Sequence, residues 1–268
     1  MKRTALILTG FACLALLAGG CCKKENYPKR KDTLRIVQYN VGAFSKEIDN
    51  SIPMIAAMMK EIHADALSLN ELDSCNLRHA NNQIADLAGA MGGWNFRFGR
   101  AMPYREGAYG VGVAVPDEIL EQFTIALPKD SGSEPRACCV VETSRYVLGS
   151  THLDHRSKEA NLLQARTITE TLKARYGESD KPVFLAGDMN VQPDSQTIAY
   201  FTKDWTILSV PKESYSGKNP RICIDFILKL NNKADIKFFK SDVPVVFSGG
   251  DVTIASDHLP VFIDVKIK

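Results

Sequence analysis

Short apolar runs dominate this chain and leave few options for its fold. Eleven stretches read as strands: 34–39, 65–70, a pair within 94–115, 121–127, 137–142, 145–151, 182–187, 222–229, 243–247 and 260–267. Residues 34–39 (LRIVQY) alternate as a half-buried strand does, and 65–70 (DALSLN) and 182–187 (PVFLAG) read as buried strands. The pair in 94–115 is rich in Gly and aromatics and is expected to flank a long loop. Only four segments read as helices. One opens at Asn50-Ser51-Ile52-Pro53, with Pro53 in its first turn, and carries Ile55, Met58, Met59 and Ile62 on one face. The others span 78–91, 157–175 (apolar positions Leu162, Leu163, Ala165, Ile168 and Leu172) and about 194–203. No repeat and no low-complexity linker divides the body. So many strands beside so few helices predict one α/β domain with two packed sheets flanked by helices, not one doubly wound sheet.

The N-terminus reads as a targeting segment. Met1-Lys2-Arg3 precedes an apolar stretch over 5–18 that is too short to span a bilayer comfortably. It runs into Ala18-Gly19-Gly20-Cys21, small residues directly before a cysteine. This resembles a bacterial lipoprotein signal, in which Cys21 becomes the lipidated first residue. An ordinary cleaved signal is the alternative; the stop of the small-residue run at the cysteine favours the lipid. The expected organisation is a signal peptide over 1–20, a polar lipidated tether over 21–31 and one domain over 32–268. That places the protein in a bacterial cell envelope, anchored at the outer membrane, and a monomer is expected.

Composition narrows the function classes. At 45% hydrophobic and 24% charged residues, the chain is neither disordered, nor collagen-like, nor a multi-pass membrane protein. The net charge of +2 hides an asymmetry: residues 1–31 hold seven Lys or Arg and one Glu, which leaves the body at −4. A body of that sign does not grip polyanions by bulk charge, so any hold on phosphate has to come from local loops or a metal. Of the seven cysteines, Cys75, Cys138, Cys139 and Cys223 fall in the body, with no CxxC or Cys/His spacing. Buried free thiols are expected there, with one disulfide left open.

The informative residues are polar groups at the ends of expected strands: Asn40, Glu71, His152, Asp188 with Asn190, and Asp257-His258 before the final run. Taken singly, each has a structural reading as an Asx turn, a solvated loop residue or a packed histidine. Asp225 is harder to explain that way. It lies inside the apolar run RICIDFIL, where an unpaired carboxylate is costly. Its predicted partner is His258, so the two side chains are expected within hydrogen-bond reach.

The motifs QYNVG, LNELD, STHLDH, AGDMN, IDFIL and SDHLP stand in that order between residues 38 and 260. In type and order they resemble the endonuclease/exonuclease/phosphatase superfamily of metal-dependent hydrolases. The resemblance implies a four-layered α/β/β/α sandwich of two packed mixed sheets. It implies Glu71 as the principal Mg²⁺ ligand, with Asn40 beside it and Asp257 near the metal; Mn²⁺ is the second choice. It implies that Asp188 orients or deprotonates the attacking water and that the Asn190 amide donates to a phosphoryl oxygen. His258 is implied to bond the scissile phosphate, Asp225 to fix its tautomer, and His152 to assist phosphate binding and leaving-group protonation. Relatives carry Asn where Val111 stands in Tyr109-Gly110-Val111-Gly112.

Substrate class follows less directly. Three basic clusters fall on loops expected around the site: Arg97, Arg100 and Arg105; His155, Arg156 and Lys158; Lys212, Lys218 and Arg221. Tyr109, Arg105 and Arg136 are the expected substrate contacts. The clusters suit a phosphorylated small molecule or a lipid head group more than the continuous basic stripe that tracks a nucleic-acid backbone. The expectation is a Mg²⁺-dependent phosphodiesterase or phosphomonoesterase. Two alternatives stay open: an extracellular nuclease, and a non-catalytic binding protein on the same scaffold.

Overall fold

Two parallel strand pairs organise the computed structural model, which describes residues 25–268. The first pair is β1 (Leu34–Asn40) and β2 (Ala66–Ser74), and the second is β7 (Val147–His152) and β8 (Val183–Asp188). Parallel strands need a crossover, not a tight turn. The crossovers are α1 (Ile52–Glu61), opened by Pro53 as expected, and α3 (Lys158–Tyr176). Antiparallel neighbours extend each pair into a six-stranded sheet. The first sheet runs β11 (Ile236–Asp242), β12 (Val261–Ile267), β1, β2, β4 (Gly107–Val115), β3 (Asn95–Tyr104). The second runs β5 (Glu121–Leu127), β6 (Arg136–Glu142), β7, β8, β10 (Asp225–Leu230), β9 (Trp205–Ile207).

Three apolar clusters separate four layers. α1 and α2 (Gln83–Ala90) bury Ile55, Met58, Ile84 and Leu87 against Tyr39 and Leu69 on the outer face of the first sheet. α3 and α4 (Gln196–Phe201) bury Ile168, Leu172 and Phe201 against Val140, Leu185 and Leu228 on the second. Ile36, Val113, Leu148, Phe184 and Ile227 fill the space between the sheets. This is the α/β/β/α sandwich expected from the sequence. At one point the sheets nearly touch: a Cβ on Gly99 would lie 2.5 Å from the Cβ of Cys139, so only glycine fits there.

Several local expectations are corrected by tertiary packing. β1 is buried along its whole length, not on alternate residues, because α1 covers one face and the second sheet the other. The helix expected over 78–91 shrinks to α2, because the Asn76 side chain accepts from the backbone of Arg78 and His79 and holds a turn there. The long loop between β3 and β4 is a two-residue turn in which Arg105 and Glu106 both take positive φ. On α3, Leu163 is exposed, whereas Asn161 and Gln164 are buried because they tie down neighbouring loops. The strand expected over 243–247 does not form; the edge strand is β11, just before it. Pro244 has no N–H to give to a ladder. The N–H groups of Val245 and Val246 instead reach the Tyr27 hydroxyl, at 2.9 and 3.0 Å. β9 and the one-turn helix α5 (Val252–Ala255) were not foreseen. Cys75 is exposed, unlike the buried Cys138, Cys139 and Cys223, and all four are free.

The tether expected over 21–31 is docked at its distal end. Tyr27 packs on Phe247 and Phe262, and the carbonyls of Tyr27 and Pro28 accept from Arg35. Cys21 and the signal segment lie outside the described residues. Among the described residues no helix is long and apolar enough to cross a membrane.

Arg35 is the anchor of this corner. Its guanidinium is fully buried, makes a bidentate pair with Asp264 at 2.6 Å for both bonds, and lies over the Phe262 ring. Another N–H donates to the Ile62 carbonyl at 2.6 Å, so the charge is hydrogen-bonded on every side. Removing one partner of such a pair strands the other charge, at a cost of about 3–5 kcal/mol. Arg35→Met is therefore expected to lose about that much stability in denaturant unfolding. The double variant Arg35→Met with Asp264→Leu should recover a large part of the loss. A double variant no better than Arg35→Met would show that the ion pair is not the source.

Candidate active site

The crossover topology delivers the site. The C-terminal ends of β1, β2, β7 and β8 lie at one edge of the sandwich and carry Asn40, Glu71, His152 and Asp188. β10 is antiparallel to β8 with Asp225 directly opposite Asp188, so Asp225 arrives at the same edge. β12 is antiparallel to β1, which brings the preceding Asp257 and His258 beside Asn40. Two of these residues sit differently from the strand-end picture. Asp225 is the first residue of β10, not the middle of a strand. β2 runs on past Glu71 to Ser74, and Glu71 occupies a bulge where the pairing with β4 shifts register. Its φ of 59° turns the side chain out of the ladder and into the site.

Asp225 and His258 are joined as expected: Nδ1 of His258 lies 2.9 Å from Oδ2 of Asp225. The same carboxylate accepts from Ser214 Oγ at 2.6 Å and Gln38 Nε2 at 3.2 Å, so it is buried but not orphaned. This leaves Nε2 of His258 facing Asp188, whose Oδ2 is 3.5 Å from it and 3.5 Å from Nε2 of His152. Burial opposes a charged His258, but Asp225 and then Asp188 overcome it and raise its pKa to about 9. His152 is the reverse case: burial, aided by the charge of Arg136, holds it well below the usual histidine range. Burial also raises the Asp188 carboxyl; the His258 charge pulls it down and Asp225 pushes it up again. One neutral and one charged imidazole therefore flank a carboxyl poised to take up a proton.

A second cluster faces this one. Glu71 and Asp257 converge on a single point, which the ammonium of Lys46 occupies at 3.3 Å from Glu71 and 2.7 Å from Asp257. Two carboxylates that share one cation at that point offer the oxygen ligands a hard divalent ion prefers. Asn40, implied by the resemblance to stand beside Glu71 at the metal, lies between Glu71 and Asp188. Its Nδ2 donates to Glu71 at 3.2 Å and to Asp188 at 3.1 Å, and its oxygen accepts from Gly42 N. In this arrangement it braces the two carboxylates. Asp188, Asp225 and His258 also lie close enough to hold an ion, but Asp225 and His258 are bonded to each other and Asp188 Oδ2 accepts from Asn40.

Both clusters line one cavity of about 440 Å³, together with Tyr109, Glu134, Arg136, His155, Asn190 and Tyr215. One N–H of the Asn190 amide is committed to the Leu153 carbonyl at 2.9 Å, and the side chain keeps a second. Arg136 is buried, contacting His155 at 3.1 Å and Glu134 at 3.2 Å. Val111 shares a small void with His152, whose Nδ1 has no partner, and a valine side chain offers it none. Arg105 is not at the cavity: it caps the β3–β4 turn, with its guanidinium over the Tyr104 ring. Arg97, Arg100, Lys212, Lys218 and Arg221 are likewise absent from its walls, because β3 is an edge strand and Lys212 and Lys218 pair with Asp242 and Glu47. Lys46 and Tyr215 were missed in the sequence. Tyr215 covers His258 with ring centroids 4.8 Å apart. Neither follows a strand, so nothing in the local pattern marks them.

Comparison with known proteins agrees with this architecture. The sequence model of the endonuclease/exonuclease/phosphatase family matches residues 37–258. A search of curated proteins gives no match. Among solved structures, an endonuclease/exonuclease/phosphatase family protein from Bacteroides thetaiotaomicron is similar, with a TM-score of 0.69, 19% identity, and 88% of this chain and 98% of that chain covered. The mannosyl-6-phosphatase of Bacteroides thetaiotaomicron VPI-5482 gives 0.69 at 21% identity, covering 87% and 99%. The human Nocturnin catalytic domain with bound sulfate gives 0.68 at 16%, covering 89% and 95%. At these identities the likeness is one of fold.

The contrast between the two histidines is measurable. In ¹⁵N NMR of the metal-free protein at neutral pH, His258 is expected to be doubly protonated and His152 neutral. Asp225→Asn should shift the His258 titration to lower pH. A His258 that is neutral at pH 7, or unmoved by Asp225→Asn, contradicts the pairing.

Proposed function

The chain belongs to the endonuclease/exonuclease/phosphatase family, and from that premise we propose that it is a divalent-metal-dependent phosphoesterase acting on the phosphate ester of a small polar alcohol. The observation that carries this reading is that His258, backed by the buried Asp225, and Asp188 line one cavity with the carboxylates Glu71 and Asp257.

Glu71 and Asp257 would hold Mg²⁺, or Mn²⁺ in its place, and the ion would neutralise charge on the phosphoryl oxygens. The protein's own groups act on the nucleophile and on the growing charge, while the P–O bond to the alcohol breaks and the departing oxygen takes its proton from solvent. Asp188, a carboxyl whose proton affinity burial has raised, takes a proton from the attacking water. His258, kept charged and oriented by Asp225, donates from Nε2 to the phosphoryl group as negative charge grows there. His152 and the spare N–H of Asn190 complete the polar wall. Arg136 adds fixed positive charge beside Tyr109.

The leaving group has a place to lie. A second cavity of about 680 Å³ opens from the first and shares His155, Asn190, Ile222 and Ile224 with it. Its walls hold Asp154, Glu159 and Asp194 against one Lys158, with Gln192, Gln196 and Asn161 between them. Amides and carboxylates of this kind suit an alcohol rich in hydroxyl groups and repel a polyanion. The mannosyl-6-phosphatase that shares this fold acts on a substrate of the same class, which supports the reading. These features favour a phosphorylated small molecule over nucleic acid or a bulk lipid surface.

A panel assay tests the reading: sugar phosphates, a chromogenic bis-phosphodiester, plasmid DNA, RNA, sphingomyelin and phosphoinositides, each with Mg²⁺ and with EDTA. Sugar phosphates should be hydrolysed fastest, and EDTA or Glu71→Gln should abolish turnover. Preference for DNA or RNA would establish the nuclease alternative instead, and full activity in EDTA would sink the metal requirement.

The relay makes a separate prediction. His258→Ala and Asp225→Ala should each lower kcat by about 10²–10⁴, the range of a general acid–base group. The double variant should be little worse than the worse single one, since residues acting as a unit are non-additive. Multiplicative losses in that cycle would separate the two residues' roles.

A further inference from the structure

The Lys46 ammonium lies between Glu71 and Asp257, at the point the metal reading assigns to the divalent ion. This is not a loose surface contact. The lysine stem enters through a slot made by Gly42, which takes a φ of +53°. A Cβ on Gly42 would lie 2.9 Å from Lys46 Cγ and 3.2 Å from Asp257 Oδ1, so any other residue would crowd the stem and the carboxylate together. Gly42 opens the short 3-10 turn Gly42–Phe44, and its N–H is held by Asn40 Oδ1. The residue that braces Glu71 thus also fixes the slot through which Lys46 reaches it.

We propose that Lys46 is a tethered cation that holds the metal seat between Glu71 and Asp257 and has to be displaced by the divalent ion. The inference rests on the metal reading above and goes beyond it. Without a counter-charge, Glu71 and Asp257 would face each other with only like charge between them. An ammonium relieves that repulsion and keeps both carboxylates aimed at one point. A divalent ion brings twice the charge and bonds both carboxylates more tightly, but it must first break the lysine's contacts. The Lys46 side chain is 41% exposed against 16% and 18% for the carboxylates, so it has an open path outward while its partners stay in place. Lys46 therefore sets the metal concentration at which the site fills. The exchange involves no bond making or proton transfer: one cation leaves the carboxylates as another arrives.

Direct titration of Mg²⁺ and Mn²⁺ into the metal-free full-length protein tests this, by calorimetry and by Mn²⁺ electron paramagnetic resonance. Lys46→Met keeps the stem and removes the charge. It should tighten binding about tenfold, equivalent to about 1.4 kcal/mol, and Lys46→Arg should not. Lys46→Met should also melt at lower temperature than wild type without metal and show a larger rise in Tm when metal is added. Equal or weaker metal binding by Lys46→Met, with wild type binding normally and losing it in Glu71→Gln, overturns the inference and leaves the metal reading standing. Absence of binding by both wild type and Lys46→Met overturns the metal reading and the inference with it.

Discussion

Asp225 has a side chain closed off from solvent and a carboxylate that accepts from donors on three elements. Gln38 comes from β1 of the opposite sheet, Ser214 from the loop before β10, and His258 from the segment before β12. A buried charge without such partners would cost several kcal/mol, so each donor is held to its place by the need to satisfy it. The catalytic candidates inherit that rigidity. His258 cannot rotate without stranding Asp225, and Gln38 ties the pair to the packing of the two sheets.

The same constraint spreads through the seam between the sheets. Gln38 also donates to Asn70 at 2.5 Å, Ser68 bridges Gln38 and Ser150, and Asn70 reaches across to the Thr151 carbonyl at 2.8 Å and the Asp188 N–H at 2.8 Å. Near the site the seam is polar and hydrogen-bonded; farther away it is the apolar layer around Ile36, Phe184 and Ile227. A half-satisfied polar network is worse than an apolar one, so these contacts select one register between the sheets. The register that satisfies Asn70 also sets Asp188 opposite Asp225. Structure and site are in this sense one network.

Charge in the cavity is only partly offset: His258 stands between Asp225 and Asp188, and Lys46 between Glu71 and Asp257. Arg136 with Glu134 forms a third pair. The chain's acidic body therefore says little about the site, whose few positive groups are placed singly. A phosphate group is met by individual donors, not by a basic field.

Several features were legible in the sequence because they are local. Apolar runs of strand length, Pro53 opening a helix, and polar residues closing each run require only the chain's own neighbours, and their number and order suffice for two sheets and four layers. Burial chemistry also made Asp225 readable, since a carboxylate in an apolar run needs a partner wherever it folds. What pairing and contact decide was not legible. The bulge that turns Glu71 inward exists only because β4 pairs with β2 out of step. β11 forms where β12 offers an edge, while Pro244 and Tyr27 deny that edge to the more apolar residues after it. Arg35 looks like the solvent face of an alternating strand until the end of α1 and the Tyr27–Pro28 segment close over it. Lys46 has no local signal at all. Its place follows from a glycine turn and two carboxylates far apart in the chain, which meet because β1, β2 and β12 lie side by side.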